Sequence, residues 1–167
     1  MLVALSDTHS EADPQLTPHL RETIASADCL VHAGDFVTQE VFDEFEKLAG
    51  SVVAVHGNSD TRRLRNRLPE TTTTEWSGKR LLVAHSHRHD ETSLSLLARQ
   101  ENADVIITGH THRPKIRHLG ERLHVNPGSH AQPRGNRPAY ALFERNAGEI
   151  SVELRAPTGE LIEGESI

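Results

Sequence analysis

Apolar residues come in short bursts along this chain, and burst after burst ends on a polar residue beside a glycine or a histidine. Leu2-Val3-Ala4-Leu5 is uniformly aliphatic and predicts a strand buried on both faces. Thr17-Pro18 offers an N-cap followed by proline at the first helical position, which predicts a helix to Ala27. Cys29 to Ala33 reads as a second buried strand. Thr38 can cap a helix to Ala49 on which Val41, Phe42, Phe45 and Leu48 share one face, with Gly50 stopping it. Ser51 to Val55 is a third strand. Strand-helix-strand-helix-strand is the signature of a parallel α/β sheet.

Beyond residue 60 the pattern changes. After a short helical segment at Thr61–Arg67, Thr71–Trp76 and Arg80–Ala84 flank Ser77-Gly78-Lys79 as a β-hairpin. A helix from about Thr92 to Asn102 carries Leu94, Leu96, Leu97 and Ala98, and Asp104–Thr108 is another buried strand. Strands near Lys115–Leu119 and Arg122–Val125 turn at Gly120-Glu121. Ala139–Glu144 and Ile150–Leu154 form a last hairpin around Asn146-Ala147-Gly148. The expectation is one α/β domain over residues 1–156, built of two packed sheets with helices outside. A tail at 157–167 has little to bury and is expected to fray.

Composition narrows the function classes. A chain of 167 residues suffices for one real core, and a net charge of -6 leaves no basic footprint for nucleic acid. The single cysteine, Cys29, sits in an apolar run and reads as a core residue in a reducing compartment. No apolar stretch approaches a membrane span, and Met1–Leu5 before Asp7 is too short for a signal peptide. A cytoplasmic protein is expected.

The candidate chemistry lies at the ends of the apolar bursts: Asp7-Thr8-His9, Gly34-Asp35, Gly57-Asn58, His85, and Gly109-His110-Thr111-His112. Loops gather and sites form just past buried strands. Taken singly, each residue has a bland role. Asp7 suits an Asx-turn, Asp35 a loop or cap, and Asn58 a turn. His110 and His112 are the hardest to explain by packing. Together they supply two carboxylates, an amide oxygen and four imidazoles. That donor set suits Mn²⁺, Fe or Zn²⁺ better than Ca²⁺ or Mg²⁺. Two such ions about 3.5–4 Å apart clamp the attacking and leaving oxygens of an in-line displacement at phosphorus and lower the pKa of a bridging water.

In their order, Asp7-x-His9, Gly34-Asp35, Gly57-Asn58, His85-x-His87, Gly109-His110-x-His112 and Asn126-Pro127-Gly128-Ser129 resemble the calcineurin-like metallophosphoesterase superfamily, and in particular its small YfcE-type phosphodiesterase branch. The resemblance runs from residue 2 to about 154. It implies a four-layer α/β/β/α sandwich, a metal-dependent phosphodiesterase, and two ions. One ion would take Asp7, His9, Asp35 and His112; the other would take Asp35, Asn58, His85 and His110. Asn58, His85 and His87 would be catalytic. Manganese is the expected metal, with Ni, Fe or Zn as alternatives. The expected partner is a small phosphoester, with neither membrane nor nucleic acid, in a homodimer or higher oligomer.

Two positions depart from the family pattern. Ser59 stands where larger members have a histidine that protonates the leaving group; serine is a poor donor, so leaving groups of low pKa should be favoured unless His87 or His56 substitutes. Ser86 stands where the family has glycine, and serine adopts positive φ less readily. Asn126-Pro127-Gly128-Ser129 is assigned a supporting role; Asp60 reads either as support for the ligands or as a cap of the Thr61–Arg67 helix, with the cap favoured. His89 and His130 are placed in loops at the site's rim, as less favoured candidates. The competing function is a metal-binding protein-interaction scaffold, because the retromer subunit Vps29 resembles the same branch. The presence of both Asp35 and Asn58 favours the enzyme.

Overall fold

The computed structural model describes residues 1–146 and 148–167; Ala147, within the last predicted turn, lies outside them. Strand β1 (Leu2–Leu5) leads through a loop to helix α1 (Pro18–Ser26), then β2 (Cys29–His32), α2 (Gln39–Leu48), β3 (Val52–Ala54) and α3 (Arg62–Arg67). The hairpin β4 (Thr71–Trp76) and β5 (Lys79–Ala84) precedes α4 (Glu91–Gln100) and β6 (Val105–Thr108). Strands β7 (Lys115–Leu119), β8 (Arg122–Asn126), β9 (Tyr140–Asn146), β10 (Glu149–Arg155) and β11 (Leu161–Ser166) complete the chain.

The strands form two mixed sheets. One has the order β11-β10-β9-β1-β2-β3 and the other β4-β5-β6-β8-β7. Within the first, β1, β2 and β3 run parallel; within the second, β5, β6 and β8 do. Side-chain alternation assigns the layers. Leu2, Ala4, Val31, Val83, Ile107 and Val125 point into the core between the sheets. Val3, Leu5 and Leu30 point the other way, onto Leu20 and Ile24 of α1 and Val41, Phe42 and Phe45 of α2. Leu82, Ala84 and Ile106 face Leu94 and Ala98 of α4. The result is helix, sheet, sheet, helix, as expected.

Local signals act where the sequence places them. Thr17 accepts from the Leu20 amide at the start of α1, with Pro18 next to it, and Thr38 accepts from the Val41 amide at the start of α2. α4 starts at Glu91, beside the expected start near Thr92, with Asp90 accepting from the Ser93 amide as its cap. The expected frayed tail is a correction. Leu161–Ser166 adds to the edge of the first sheet as β11, antiparallel to β10, and Ile162 and Ile167 pack against the inter-sheet core. The backbone of β10 gains a hydrogen-bonded neighbour that residue-by-residue hydropathy does not register.

Removing residues 161–167 should lower stability by about 1–3 kcal/mol, the scale of two partly buried isoleucines and one edge pairing, without unfolding the protein. Urea melts of full-length and shortened protein check this; equal midpoints would mean that β11 contributes nothing.

Candidate metal centre

The carboxyl ends of the parallel strands carry the polar motifs. Asp7 and His9 follow β1, Asp35 follows β2, Asn58 follows β3, His85 follows β5, and His110 and His112 follow β6. The two sheets are aligned so that these ends meet. The His85 Nδ1–H donates to the Ala33 carbonyl across the sheets at 2.7 Å, and the His110 amide donates to Asp7 Oδ2 at 2.9 Å.

The loops turn sharply off their strands. Asp7, His9, Asp35, His110 and His112 all have left-handed backbones, with φ of 54°, 43°, 62°, 75° and 55°. Each such residue costs about 1–2 kcal/mol over an ordinary conformation. Cross-loop bonds offset the strain: Asp7 N–H donates to Gly34 O and His9 N–H to Asp35 O, both at 3.0 Å. Ser86 also turns left-handed, at φ 71°, and its hydroxyl donates to the Gly109 carbonyl at 3.0 Å, so serine does fit this turn. Two glycines are required for contact. A Cβ on Gly109 would lie 1.9 Å from Ser6 Oγ, and one on Gly57 would lie 2.1 Å from Asp35 Oδ1.

Each carboxylate is oriented by donors. Asp7 Oδ2 accepts from the Ser6 hydroxyl and the His110 amide, which leaves Oδ1 facing inward. Asp7 Oδ1 lies 3.3 Å from His112 Nε2 and 3.6 Å from His9 Nε2. Asp35 Oδ1 accepts from the Ser59 amide at 2.7 Å, and Oδ2 from the Ser59 hydroxyl at 3.0 Å. That same Oδ2 lies 3.2 Å from both His9 Nε2 and His85 Nε2, so Asp35 spans the two halves of the cluster. Donor atoms of Asp7, His9 and His112 lie within 4.8 Å of one another, and so do those of Asp7, Asp35 and His85. Asn58 Oδ1 and His110 Nδ1 sit 3.0 Å apart at the exposed rim, with the His110 ring 5.3 Å from that of His85. All seven predicted ligands therefore gather in one place.

Their chemistry fits divalent cations. Asp7 Oδ1 and the Nε2 atoms of His9, His85 and His112 are buried with no hydrogen-bond partner among the described residues. His85 and His112 each donate Nδ1–H to a carbonyl, of Ala33 and Gln132, so each Nε2 presents a lone pair to the cluster. Without a cation, protons balance the charge. The neighbouring Asp35 carboxylate, then Asp7, raise His9 to about 9. Burial pushes the Asp35 carboxyl up, but His85 and His9 outweigh it and hold the group well below the usual carboxylate range. Burial likewise lowers His85, yet Asp35 brings it above its ordinary value.

The residues around this cluster were less legible. Asp60 is not the cap of α3, whose N-cap residue Thr61 makes no side-chain bond. It is a buried clamp that accepts from the amides of Asp35, Val37 and Gly57 at 3.1, 2.8 and 2.7 Å. Ser59 spends its hydroxyl on Asp35. Ser6 and Gln132, which orient Asp7 and His112, stand in no periodic pattern, although Ser6 directly precedes a motif. Asn126 and Ser129 support the site as assigned: Asn126 Nδ2 donates to Gly109 O at 3.1 Å, and the Ser129 hydroxyl donates to Asp7 O at 2.7 Å. His87 lies at the edge, its ring 5.4 Å from that of His85 and 6.5 Å from that of His56. His130 is not at the rim but buried against the Pro14 carbonyl, and His89 faces Glu70 at 3.6 Å.

Comparison with known proteins identifies the family. The calcineurin-like phosphoesterase superfamily domain matches residues 1–148. A probable metallophosphoesterase of Methanothermobacter thermautotrophicus is 29% identical over 158 residues, which cover 92% of this chain and 91% of that protein. The phosphodiesterase YfcE of Escherichia coli is 32% identical over 117 residues, covering 66% of this chain and 62% of that protein. The structure of Entamoeba histolytica Vps29 complexed with Zn²⁺ superposes with a TM-score of 0.78 at 23% identity, covering 99% of this chain and 97% of that one.

Asp60→Asn should cost about 2–4 kcal/mol and weaken metal binding by about 10–100-fold, because an amide replaces one acceptor oxygen with a donor facing buried N–H groups. Urea melts and Mn²⁺ calorimetry check both; unchanged metal affinity would remove Asp60 from the site's support. A pH prediction follows from His32, His124 and His130, which are all buried. Burial, reinforced by Arg117 and Lys115, lowers His124 to about 4, and burial also lowers His32 and His130. The unfolded chain takes up these protons first, so the stability these three buried rings contribute is fully present above about pH 6.5 and is lost as pH drops toward 4. Thermal melts of metal-free protein from pH 8 to 4 should show this loss, and His124→Gln should reduce it.

Proposed function

The chain belongs to the calcineurin-like phosphoesterase superfamily, and from that premise we propose that it is a metal-dependent phosphodiesterase working through a two-metal centre. The observation that carries this reading is the set of four buried, unpartnered donor atoms from Asp7, His9, His85 and His112. Asp7, His9, Asp35 and His112 would hold one ion, and Asp35, Asn58, His85 and His110 the other. Manganese is the proposed metal, with Ni, Fe or Zn as alternatives. Such a pair, when bound, supplies Lewis acidity and hydroxide near neutral pH for in-line attack at phosphorus.

The protein's own groups do the positioning. Ser59, bonded to both oxygens of Asp35, fixes the shared carboxylate and is not free to protonate a departing alcohol. Asn58 and His110 stand at the exposed rim, where a phosphoryl oxygen enters. His87, its ring 5.4 Å from that of His85, would meet the leaving group, with His56 as the alternative; burial, then the neighbouring His85, lowers the His87 pKa. A neutral imidazole donates a hydrogen bond but transfers a proton poorly, so good leaving groups are preferred. A small phosphoester substrate fits the family; a homodimer or higher oligomer is part of the same reading. Among the described residues no helix is long and apolar enough to cross a membrane, and the free thiol of Cys29 suits the cytoplasm. The Vps29 likeness supports a second reading, a metal-binding scaffold for protein partners.

Metal-stripped protein given Mn²⁺ should hydrolyse bis(4-nitrophenyl) phosphate, and Asp35→Asn should lower kcat by about 10³-fold or more. Rates across aryl diesters should fall steeply as leaving-group pKa rises. Folded protein that binds Mn²⁺, Ni²⁺, Zn²⁺ and Fe²⁺ without turnover would move the assignment to the scaffold.

A further inference from the structure

A pocket of about 430 Å³ adjoins the metal centre and shares His110, Ser86 and Asn126 with its surroundings. It exists because one helix covers a five-stranded sheet. α4 packs on the outer faces of β5 and β6, with Leu119 at the end of β7 against the same cluster, and the pocket lies between α4 and the rest of the β8 and β7 outer faces. Thr108, His124 and Asn126 line it from β6 and β8, and α4 contributes Glu91 and Leu94. The third side carries Arg113, Lys115 and Arg117 at alternate positions. Lys115 pairs in register with Asn126, and Arg117 with His124, so these four side chains share one face of the sheet.

The lining is cationic on a chain of net charge -6. Of its two carboxylates, Glu91 is paired with Arg117 and Asp90 is engaged by the Ser93 amide at the start of α4. Arg113 and Lys115 have no carboxylate partner among the described residues. His124 is 92% buried, since only 8% of it is exposed. Its Nε2 lies 2.8 Å from Thr108 Oγ1, and its Nδ1 has no partner among the described residues. With Thr108 donating to Nε2, Nδ1 carries the proton and lacks only an acceptor. Leu94 is the sole large apolar side chain in the lining, which disfavours an aromatic or lipid occupant.

We propose that this pocket binds a second phosphoryl group of the substrate, so that the preferred substrate is a phosphodiester whose alcohol portion is itself a phosphorylated sugar or polyol. The scissile phosphorus sits at the metal centre, on the proposed phosphodiesterase reading, and the pendant phosphate reaches Arg113 and Lys115. The exposed cations supply charge-assisted hydrogen bonds, and the pocket volume accommodates a sugar phosphate.

The test has two arms, each using full-length protein and the Arg113→Ala/Lys115→Ala double variant. Both substituted side chains are exposed, and neither belongs to the metal centre. In the first arm, ribose 5-phosphate is titrated into metal-free protein while the His124 ring resonances are followed. Binding should perturb His124 and weaken about tenfold or more in the variant. In the second, Mn²⁺-loaded protein is assayed on bis(4-nitrophenyl) phosphate and on a 4-nitrophenyl phosphodiester of a ribose ring hydroxyl whose 5-position carries a separate, free phosphate. The variant should keep kcat/KM on the first and lose about tenfold on the second. Equal affinity for ribose 5-phosphate in both proteins, or an equal loss on both diesters, overturns the proposal. Absence of turnover on either diester, with ribose 5-phosphate binding intact, would sink the phosphodiesterase reading and leave the pocket standing.

Discussion

Two carboxylates, Asp7 and Asp35, are buried side by side, and the rest of the site answers to that constraint. Burying a charge is costly unless it is paired and hydrogen-bonded. Here the compensation comes from three directions: donors on the outer oxygens, imidazoles on the inner ones, and a set of lone pairs suited to cations. Ser6, Ser59 and the His110 amide orient the carboxylates. The histidines bring positive charge only by holding protons, as the raised His9 shows. A divalent ion would supply that charge permanently, so that carboxylate burial, histidine tautomers and the site's fitness for a cation are one problem and not three.

Holding the loops in this shape is expensive. Five of the seven candidate ligands adopt left-handed backbones, at a combined cost that could erode much of a domain's marginal stability. The strain is sustained by the parallel strands beneath, whose buried aliphatic residues fix where each loop departs. Asp60 ties the loops after β2 and β3 together through three amides. The Asn126–Ser129 turn ties those after β1 and β6. Strain at the ligands and rigidity in the scaffold are thus two sides of one arrangement.

Most of the fold was legible because its signals are local. Thr17-Pro18 and Thr38 cap helices wherever the chain later goes, and a run such as Val105–Thr108 has no stable place except a buried strand. The misreadings occurred where the decisive partner is distant in sequence. Residues 161–166 look too polar to be held, yet they pair with β10. Asp60 directly precedes a short helix and looks like its cap, but its acceptors face Asp35 and Gly57 in the folded loop. Ser59 looks like a missing proton donor until Asp35, 24 positions away, is seen to claim its hydroxyl.

From the sequence alone came the candidate ligand types and their order, because a carboxylate, amide or imidazole carries its coordination chemistry wherever it sits. The strands before them followed from aliphatic runs that only a buried sheet can satisfy. Tertiary structure decided which atoms face inward, which histidine nitrogen bears the proton, and how Asp35 comes to lie between His9 and His85. It also opened the basic pocket beside the centre, since alternation along β7 cannot say that α4 stops short of covering it. Those outcomes rest on distances between segments far apart in the chain, and such distances are set by packing the two sheets, not by any residue's own propensity.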